Sequence, residues 1–225
     1  MNGKGSSGRF VFPKEANLLR PVLGISLVAI PAYLVLLVWL GGSPKTFAVG
    51  YQPEQPVPYS HALHAGELGI NCRYCHTSVE TAAKAAIPPT QTCMNCHAKI
   101  RAGSEKLIPV RESFATGLPV AWVKVHDLPQ YVYFNHSAHV TRGVGCVECH
   151  GRVDKMDVVK QVETLSMGWC LDCHRDPEPN LRPRDQITSM TWQAEGDRRE
   201  LGHRLAQEYK IRDARDLTSC STCHR

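Results

Sequence analysis

The chain has 225 residues, of which 43% are hydrophobic and 21% charged, and its formal net charge at pH 7 is +5. Four of the five net positive charges fall within residues 1–45, so the rest of the chain is almost neutral. Its basic residues are scattered among acidic ones, which excludes the basic face expected of a nucleic-acid-binding protein.

A membrane-spanning helix is predicted at residues 21–42, after a cytoplasmic tail at residues 1–20. Val22 to Leu40 is an uncharged run of nineteen residues, long enough to cross a hydrocarbon core of about 30 Å. Pro31 in its middle is compatible with a membrane helix. Basic residues outnumber acidic ones in the tail, so the positive-inside rule predicts a cytoplasmic N-terminus with the rest of the chain outside.

A cleaved signal peptide is the alternative to a retained anchor. Its apolar core would be shorter, about 7–15 residues, and a cleavage site between small residues should follow. No convincing site follows Leu40, so we expect an uncleaved, single-pass signal-anchor in a bacterial inner membrane. Residues 43–58 come next, and the three prolines between Tyr51 and Pro58 predict a stiff, extended spacer.

The pentapeptide Cys-x-x-Cys-His then occurs five times, and we number these motifs 1 to 5 in chain order. Their cysteines are Cys72 and Cys75, Cys93 and Cys96, Cys146 and Cys149, Cys170 and Cys173, and Cys220 and Cys223, which are all ten in the chain. The histidines that end them are His76, His97, His150, His174 and His224. This is the attachment signature of c-type haem, in which two thiols form thioethers with one porphyrin and the adjacent imidazole is the proximal iron ligand. The sequence therefore predicts five covalently attached haems.

Disulfides and zinc are the alternative uses of such cysteine pairs. A disulfide framework does not require a histidine after every pair. Structural zinc usually combines two half-sites, and five half-sites leave one unpaired. Haem accounts for both the cysteines and the histidines.

Residues 59–225, predicted to form the haem domain, contain an internal repeat. Tyr59-Ser60-His61-x-x-His64 precedes motif 1, and Phe134-Asn135-His136-x-x-His139 precedes motif 3. A second motif follows each, which predicts two-haem modules at residues 59–100 and 130–176, with the fifth haem at 220–224. Because histidines three residues apart share one face of a helix, we expect each pair to bind two neighbouring irons. The predicted distal ligands are His61, His64, His136 and His139.

Five irons need a fifth distal ligand, and the sequence leaves its identity open. The candidates are His126, Met156 and Met167; a thioether ligand would raise the potential of its haem. His203 lies on a predicted helix at residues 197–210, opposite the apolar stripe of that helix, so we expect a surface residue there.

The predicted fold is mainly α with extensive coil, organised around haems and preceded by one transmembrane helix. A domain of this length has too little apolar protein to form a large core by itself, so the haems must supply much of the buried surface. No catalytic acid–base constellation stands out, and candidate distal ligands outnumber the irons. The sequence therefore predicts an electron carrier rather than an enzyme.

The whole layout resembles the pentahaem cytochrome c subunit of bacterial alternative complex III, one of the class III-like multihaem cytochromes c. The resemblance depends on the N-terminal span, Gln52-Pro53-Glu54-Gln55-Pro56, Tyr59-Ser60-His61-Ala62-Leu63-His64-Ala65-Gly66, Tyr133-Phe134-Asn135-His136-Ser137-Ala138-His139-Val140, Met167-Gly168-Trp169-Cys170 and the terminal motif.

The resemblance implies an electron-transfer subunit of a membrane quinol:acceptor oxidoreductase complex. Its expected partners are integral membrane quinol-oxidising subunits and a periplasmic iron–sulfur subunit. The expected acceptor is a monohaem cytochrome c or a haem–copper oxidase. The haem domain would then be periplasmic.

A stand-alone, membrane-anchored multihaem quinol dehydrogenase that feeds a periplasmic reductase is the alternative. Such cytochromes usually carry a methionine ligand near the first haem. Here Thr77-Ser78-Val79 follows His76, so the sequence favours a subunit of a larger complex.

The five motifs make a direct prediction about cofactor content. A pyridine haemochrome assay on the purified chain should give five c-type haems per polypeptide, because each motif carries both thiols and the proximal imidazole. Four or fewer would contradict the motif count.

Overall fold

The computed structural model describes residues 13–224, apart from the side chains of Lys14 and Phe47. The basic residues Lys4 and Arg9 of the predicted tail lie outside the described residues. The chain divides into two units, residues 1–47 and 48–225.

The first unit contains one long apolar helix. A 3₁₀ turn at Lys14–Leu18 leads into α1 (Leu19–Gly41), and the short helix α2 (Pro44–Phe47) follows. The 23 residues of α1 span about 34 Å, enough to cross a bilayer core. Its large apolar side chains are exposed, so α1 has the length and surface of a membrane anchor or a signal sequence.

The second unit is helix and coil. Its α-helices are α3 (Cys72–Cys75), α4 (Thr90–His97), α5 (Ile108–Thr116), α6 (His136–Val140), α7 (Cys146–His150), α8 (Met167–Arg175), α9 (Arg198–Glu208), α10 (Ala214–Leu217) and α11 (Cys220–Cys223). A π-helical turn lies at Ala62–Glu67, and 3₁₀ turns lie at Glu105–Leu107, Val153–Lys155, Glu178–Asn180 and Arg184–Gln186. Within residues 13–224 no strand forms, and β-pairing is limited to two isolated bridges. The predicted fold class is confirmed.

Several of these helices begin at a side chain that caps them. Asn71 accepts a hydrogen bond from a backbone N–H at the start of α3, Asn135 does so for α6, and Ser166 does so for α8. Such caps satisfy donors that the first turn leaves unpaired. They therefore fix where three short helices of the second unit begin.

The protein core is small and lies under α9. Leu181, Leu205 and Tyr209 are buried together, with partly buried apolar residues around them. Gly202 lets α9 approach closely, since a Cβ there would lie 2.1 Å from the carbonyl oxygen of Glu178. The predicted apolar stripe of this helix is confirmed, and few other large apolar side chains in the described chain are buried.

The predicted spacer, residues 43–58, is helical at Pro44–Phe47, whereas residues 51–58 contain no helix and are bound to the rest of the second unit. Gly50 donates to the carbonyl of Gln161 over 2.8 Å, and Gln161 donates to that of Tyr51 over 3.0 Å. Gln55 exchanges two side-chain hydrogen bonds of 2.9 Å with the backbone of Val123. The part of the spacer after residue 49 is therefore held by other residues of the second unit.

Replacing Leu205 by Ala should destabilise the holo-protein by about 2–5 kcal/mol, because it opens a cavity in the small core. Denaturant unfolding followed by circular dichroism measures this loss. Leu118→Ala is the matched control, since Leu118 is 68% exposed, and it should change the free energy of unfolding by less than about 0.5 kcal/mol. Equal effects would show that the cluster under α9 does not contribute to stability.

Candidate haem sites

The first His-x-x-His segment is held together by one aromatic ring. Tyr59 stacks on His64 at 4.4 Å between ring centroids and meets His61 edge-on at 4.8 Å. The Nδ1 of His64 lies 2.8 Å from the carbonyl oxygen of Ser60, and the Ser60 hydroxyl accepts from the N–H of Leu63. Contacts within the protein therefore orient both imidazoles.

The second segment repeats this geometry. Phe134 stacks on His139 at 4.6 Å and meets His136 edge-on at 4.7 Å. The Nδ1 of His139 lies 2.8 Å from the carbonyl oxygen of Asn135, whose side chain accepts from the N–H of Ala138. The aromatic residue and the polar residue after it are therefore parts of the site, a role that the sequence repeat alone did not assign.

Three of these histidines face the histidines that end motifs. The ring centroids are 6.1 Å apart for His64 and His97, 6.4 Å for His136 and His150, and 6.1 Å for His139 and His174. An iron between two imidazoles needs roughly 6 Å, because each metal–nitrogen bond is about 2 Å long and each ring adds about 1 Å. The residues therefore fit hexacoordinate haem iron.

His61 lies near His76, the proximal histidine of motif 1. Burial lowers the pKa of His61 to about 4, and the neighbouring imidazoles of His76 and His64 contribute further. Its Nδ1 is buried without a hydrogen-bond partner. By its place in the repeat, His61 corresponds to His136, which faces motif 3.

Many of these histidines have Nδ1 beside a backbone carbonyl oxygen. The acceptors are Ser60 for His64, Ala86 for His76, Ile100 for His97, Asn135 for His139, Leu217 for His174 and Tyr131 for His224, at distances of 2.8–3.1 Å. A carbonyl oxygen only accepts, so Nδ1 carries the proton and Nε2 is left free for iron. Sequence reasoning missed these acceptors because any residue supplies a carbonyl.

Burial keeps part of the ligand set neutral. It lowers the pKa of His150 to about 3, with further contributions from His126 and His136. It also lowers the pKa of His139. A neutral imidazole is the form that binds a metal, so both rings are in the ligating state over the physiological pH range.

The structure separates the three candidates for the fifth distal ligand. His126 meets His150 edge-on at 4.5 Å, which is too close for an iron between them, and its Nε2 is buried without a partner. Met156 is buried, whereas Met167 is 61% exposed and lies one helical turn before Cys170 at the start of α8. The ring found beside His224 is that of Tyr131, at 5.9 Å.

His203 lies on the surface of α9, as predicted. Its side chain is 61% exposed. Nδ1 lies 2.9 Å from Glu178 Oε1, and Nε2 lies 3.0 Å from the side-chain nitrogen of Gln207. Both ring nitrogens are engaged, which makes this residue a suitable control for substitutions of the ligand candidates.

A buried arginine braces motif 3. Arg182 is 2% exposed, forms an ion pair with Glu148 inside the motif and lies over the ring of Trp192. Arg198 contacts the same ring. Gly145 gives the guanidinium room, since a Cβ there would lie 2.3 Å from Arg182 Nε. No sequence motif predicts these contacts of Arg182 with motif 3.

None of the ten cysteines, all of which lie within the described residues, forms a disulfide. In residues 13–224, no group of three or more histidine, cysteine or acidic side chains converges on a common metal position. Each motif carries its own two cysteines, the number that thioether attachment of one porphyrin needs.

Comparison with known proteins supports the haem interpretation. Residues 132–225 match the family of cytochrome c7 and related cytochrome c, a segment that contains motifs 3 to 5 and the second His-x-x-His pair. A stretch of 100 residues is 34% identical to the multiheme cytochrome c subunit of menaquinone reductase from Nitratidesulfovibrio vulgaris. That stretch is 44% of this chain and 47% of the relative, so the alignment spans about half the length of the curated relative. Residues 132–225 are therefore similar to cytochromes of the c7 family, and motifs 1 and 2 lie outside the matched segment.

Replacing His136 by Ala should leave one haem high-spin, with its iron open or water-bound, because the imidazole opposite His150 is lost. Optical and electron paramagnetic resonance spectra of the oxidised holo-protein measure this change. His203→Ala is the control and should keep the wild-type low-spin spectrum. A low-spin spectrum for His136→Ala as well would contradict its role as a ligand.

Proposed function

We propose that this chain is the electron-carrying multihaem cytochrome c subunit of a membrane-bound quinone oxidoreductase complex. The observation that carries the proposal is the spacing of three imidazole pairs at 6.1–6.4 Å in a chain with five attachment motifs. That spacing suits an iron with two protein ligands. Such an iron conducts electrons and has no open position for a substrate.

In this proposal the ten motif cysteines form the thioethers and the five motif histidines are proximal ligands. His61, His64, His136 and His139 are the distal ligands of motifs 1, 2, 3 and 4 in that order. Bound haem supplies reversible one-electron chemistry. Burial lowers the pKa of His61, His139 and His150, which keeps these three imidazoles neutral. Backbone carbonyls and two aromatic rings orient many of the ligand imidazoles.

Met167 is the proposed distal ligand of motif 5. Met167 shares one face of α8 with Cys170, which lies three residues later. Burial raises the pKa of the Cys170 thiol, and the nearby Cys223 of motif 5 raises it further. A methionine ligand would give this haem a higher potential than those with two histidines. His126 is already packed against His150.

The proposed location is the bacterial inner membrane, with one span and a periplasmic haem domain. Support comes from the apolar surface of α1 and from the basic residues that precede it, which favour a cytoplasmic N-terminus. Covalent haem attachment outside the cytoplasm agrees with this orientation. The predicted anchor thus keeps the electron carrier at the membrane surface where quinone-binding subunits lie.

The proposed direction is from quinol to an external acceptor, as the resemblance to alternative complex III implies. Integral quinol-oxidising subunits and a periplasmic iron–sulfur subunit would then deliver electrons, and a monohaem cytochrome c or a haem–copper oxidase would receive them. The name of the bacterial relative, a menaquinone reductase subunit, supports the opposite direction as a second candidate. Both candidates give the cytochrome the same task beside quinone-binding subunits.

Purification in mild detergent tests this proposal. The chain should co-purify with several integral membrane proteins, and only the complex should exchange electrons with a quinone, because the chain itself has no proposed quinone site. Quinol-dependent reduction of cytochrome c supports the first direction, and quinone reduction by a reduced cytochrome supports the second. Quinol oxidation by the isolated chain would contradict the proposal and favour a stand-alone quinol dehydrogenase.

A further inference from the structure

The five motifs follow one another in space in an order that differs from their order in the sequence. Motifs 1 and 2 touch directly, because the side-chain nitrogen of Asn95 in motif 2 donates to the hydroxyl of Tyr74 in motif 1 over 3.2 Å. The first His-x-x-His segment carries both His64, which faces His97 of motif 2, and His61, which lies near His76 of motif 1. These two haem sites are therefore neighbours.

Motif 1 also contacts the surroundings of motif 3. The loop that follows motif 1 holds His136, the histidine that faces motif 3, with Nδ1 3.1 Å from Ala83 O and 3.3 Å from Ala85 N. The same loop holds His76 through the carbonyl of Ala86 at 2.9 Å. One short loop thus positions a ligand candidate for each of motifs 1 and 3.

A second set of contacts joins the same two sites from the other side. Ala62 donates to the carbonyl of Met156 over 3.0 Å, and the Ser60 hydroxyl donates to Asp157 over 2.7 Å. Gly66 lies so close to this segment that a Cβ would be 2.2 Å from Asp154 O. The first His-x-x-His segment therefore packs on the residues that follow motif 3.

The thiols of these two motifs are consistent with that contact. The side chains of Cys72 in motif 1 and Cys146 in motif 3 lie within hydrogen-bonding distance of each other. Two adjacent residues also connect these motifs. The side chain of Asn71, the residue before Cys72, donates to Thr188 Oγ1, and the N–H of Cys146 donates to the carbonyl of Ile187.

The remaining neighbours follow from α6 and α10. On α6, His136 faces His150 of motif 3 and His139 faces His174 of motif 4, so one helix connects these sites. The Nδ1 of His174 lies 3.0 Å from the carbonyl oxygen of Leu217, the last residue of α10. That helix leads directly into motif 5.

We infer that the haem sites are arranged in space as motif 2, motif 1, motif 3, motif 4, motif 5, with motifs 2 and 5 at the two ends. An independent observation agrees: among the ten cysteines, Cys96 of motif 2 and Cys220 of motif 5 are the exposed ones. The order rests on the proposed haem ligation. It makes the haems of motifs 2 and 5 the accessible positions for electron exchange with other proteins.

Redox titration of single reporter haems tests the order. His136→Ala marks the haem of motif 3 and His61→Ala marks that of motif 1, each by its high-spin signal. The double substitution Cys93→Ala and Cys96→Ala removes the haem of motif 2. Each reporter is titrated with this haem present and with it removed. Because a neighbouring haem changes the local charge when it is reduced, removing a neighbour shifts the midpoint potential of the reporter, whereas removing a distant haem does not.

We expect the midpoint potential of the His61→Ala reporter to shift and that of the His136→Ala reporter to stay the same. Any other pattern, and above all a shift at His136→Ala, overturns the order. Variants without motif 2 must retain four haems in the pyridine haemochrome assay. If they do not, a density map of the wild-type holo-chain decides, since the iron of motif 1 must lie between those of motifs 2 and 3. Fewer than five haems in the wild-type chain would instead contradict the proposed function.

Discussion

The separation of facing imidazoles is the constraint on which the rest of this domain depends. Two histidines that share an iron must hold their rings roughly 6 Å apart, and the rings of His64 and His97 have this spacing. Each ring is held from behind, by a backbone carbonyl and, for His64, by the stacked Tyr59. These contacts therefore hold the two facing imidazoles at a distance from each other.

This constraint explains the sparse protein core. Few large apolar side chains in the described part of the chain are buried, and the best-packed group, around Leu205, lies beside α9 rather than between the motifs. Burying a polar ring is costly unless it is paired, yet His126 and His61 each keep one buried ring nitrogen without a partner. On the proposed ligation, the haems would supply much of the stability that this small core does not.

The repeated His-x-x-His segment couples neighbouring sites. One short helix directs two imidazoles to two different motifs, so displacement of that helix would disturb both. The first segment also packs on residues 153–157, and His136 is held by the loop after motif 1. The two modules predicted from the repeat are therefore interlocked. Contact between the modules keeps motifs 1 and 3 close to each other, as the proposed conduction over several centres requires.

The sequence by itself determined the cofactor class, the number of attachment sites, the apolar helix and the four His-x-x-His ligand candidates. Covalent chemistry and helical periodicity act over a few residues, so they can be read from spacing alone. Only the tertiary structure decided which histidine faces which motif, which backbone carbonyls orient the rings and that His126 packs against His150. It also placed motif 1, rather than motif 2, beside motif 3. These relations join residues as far apart as Ala83 and His136, and they follow from chain packing, which no local spacing encodes.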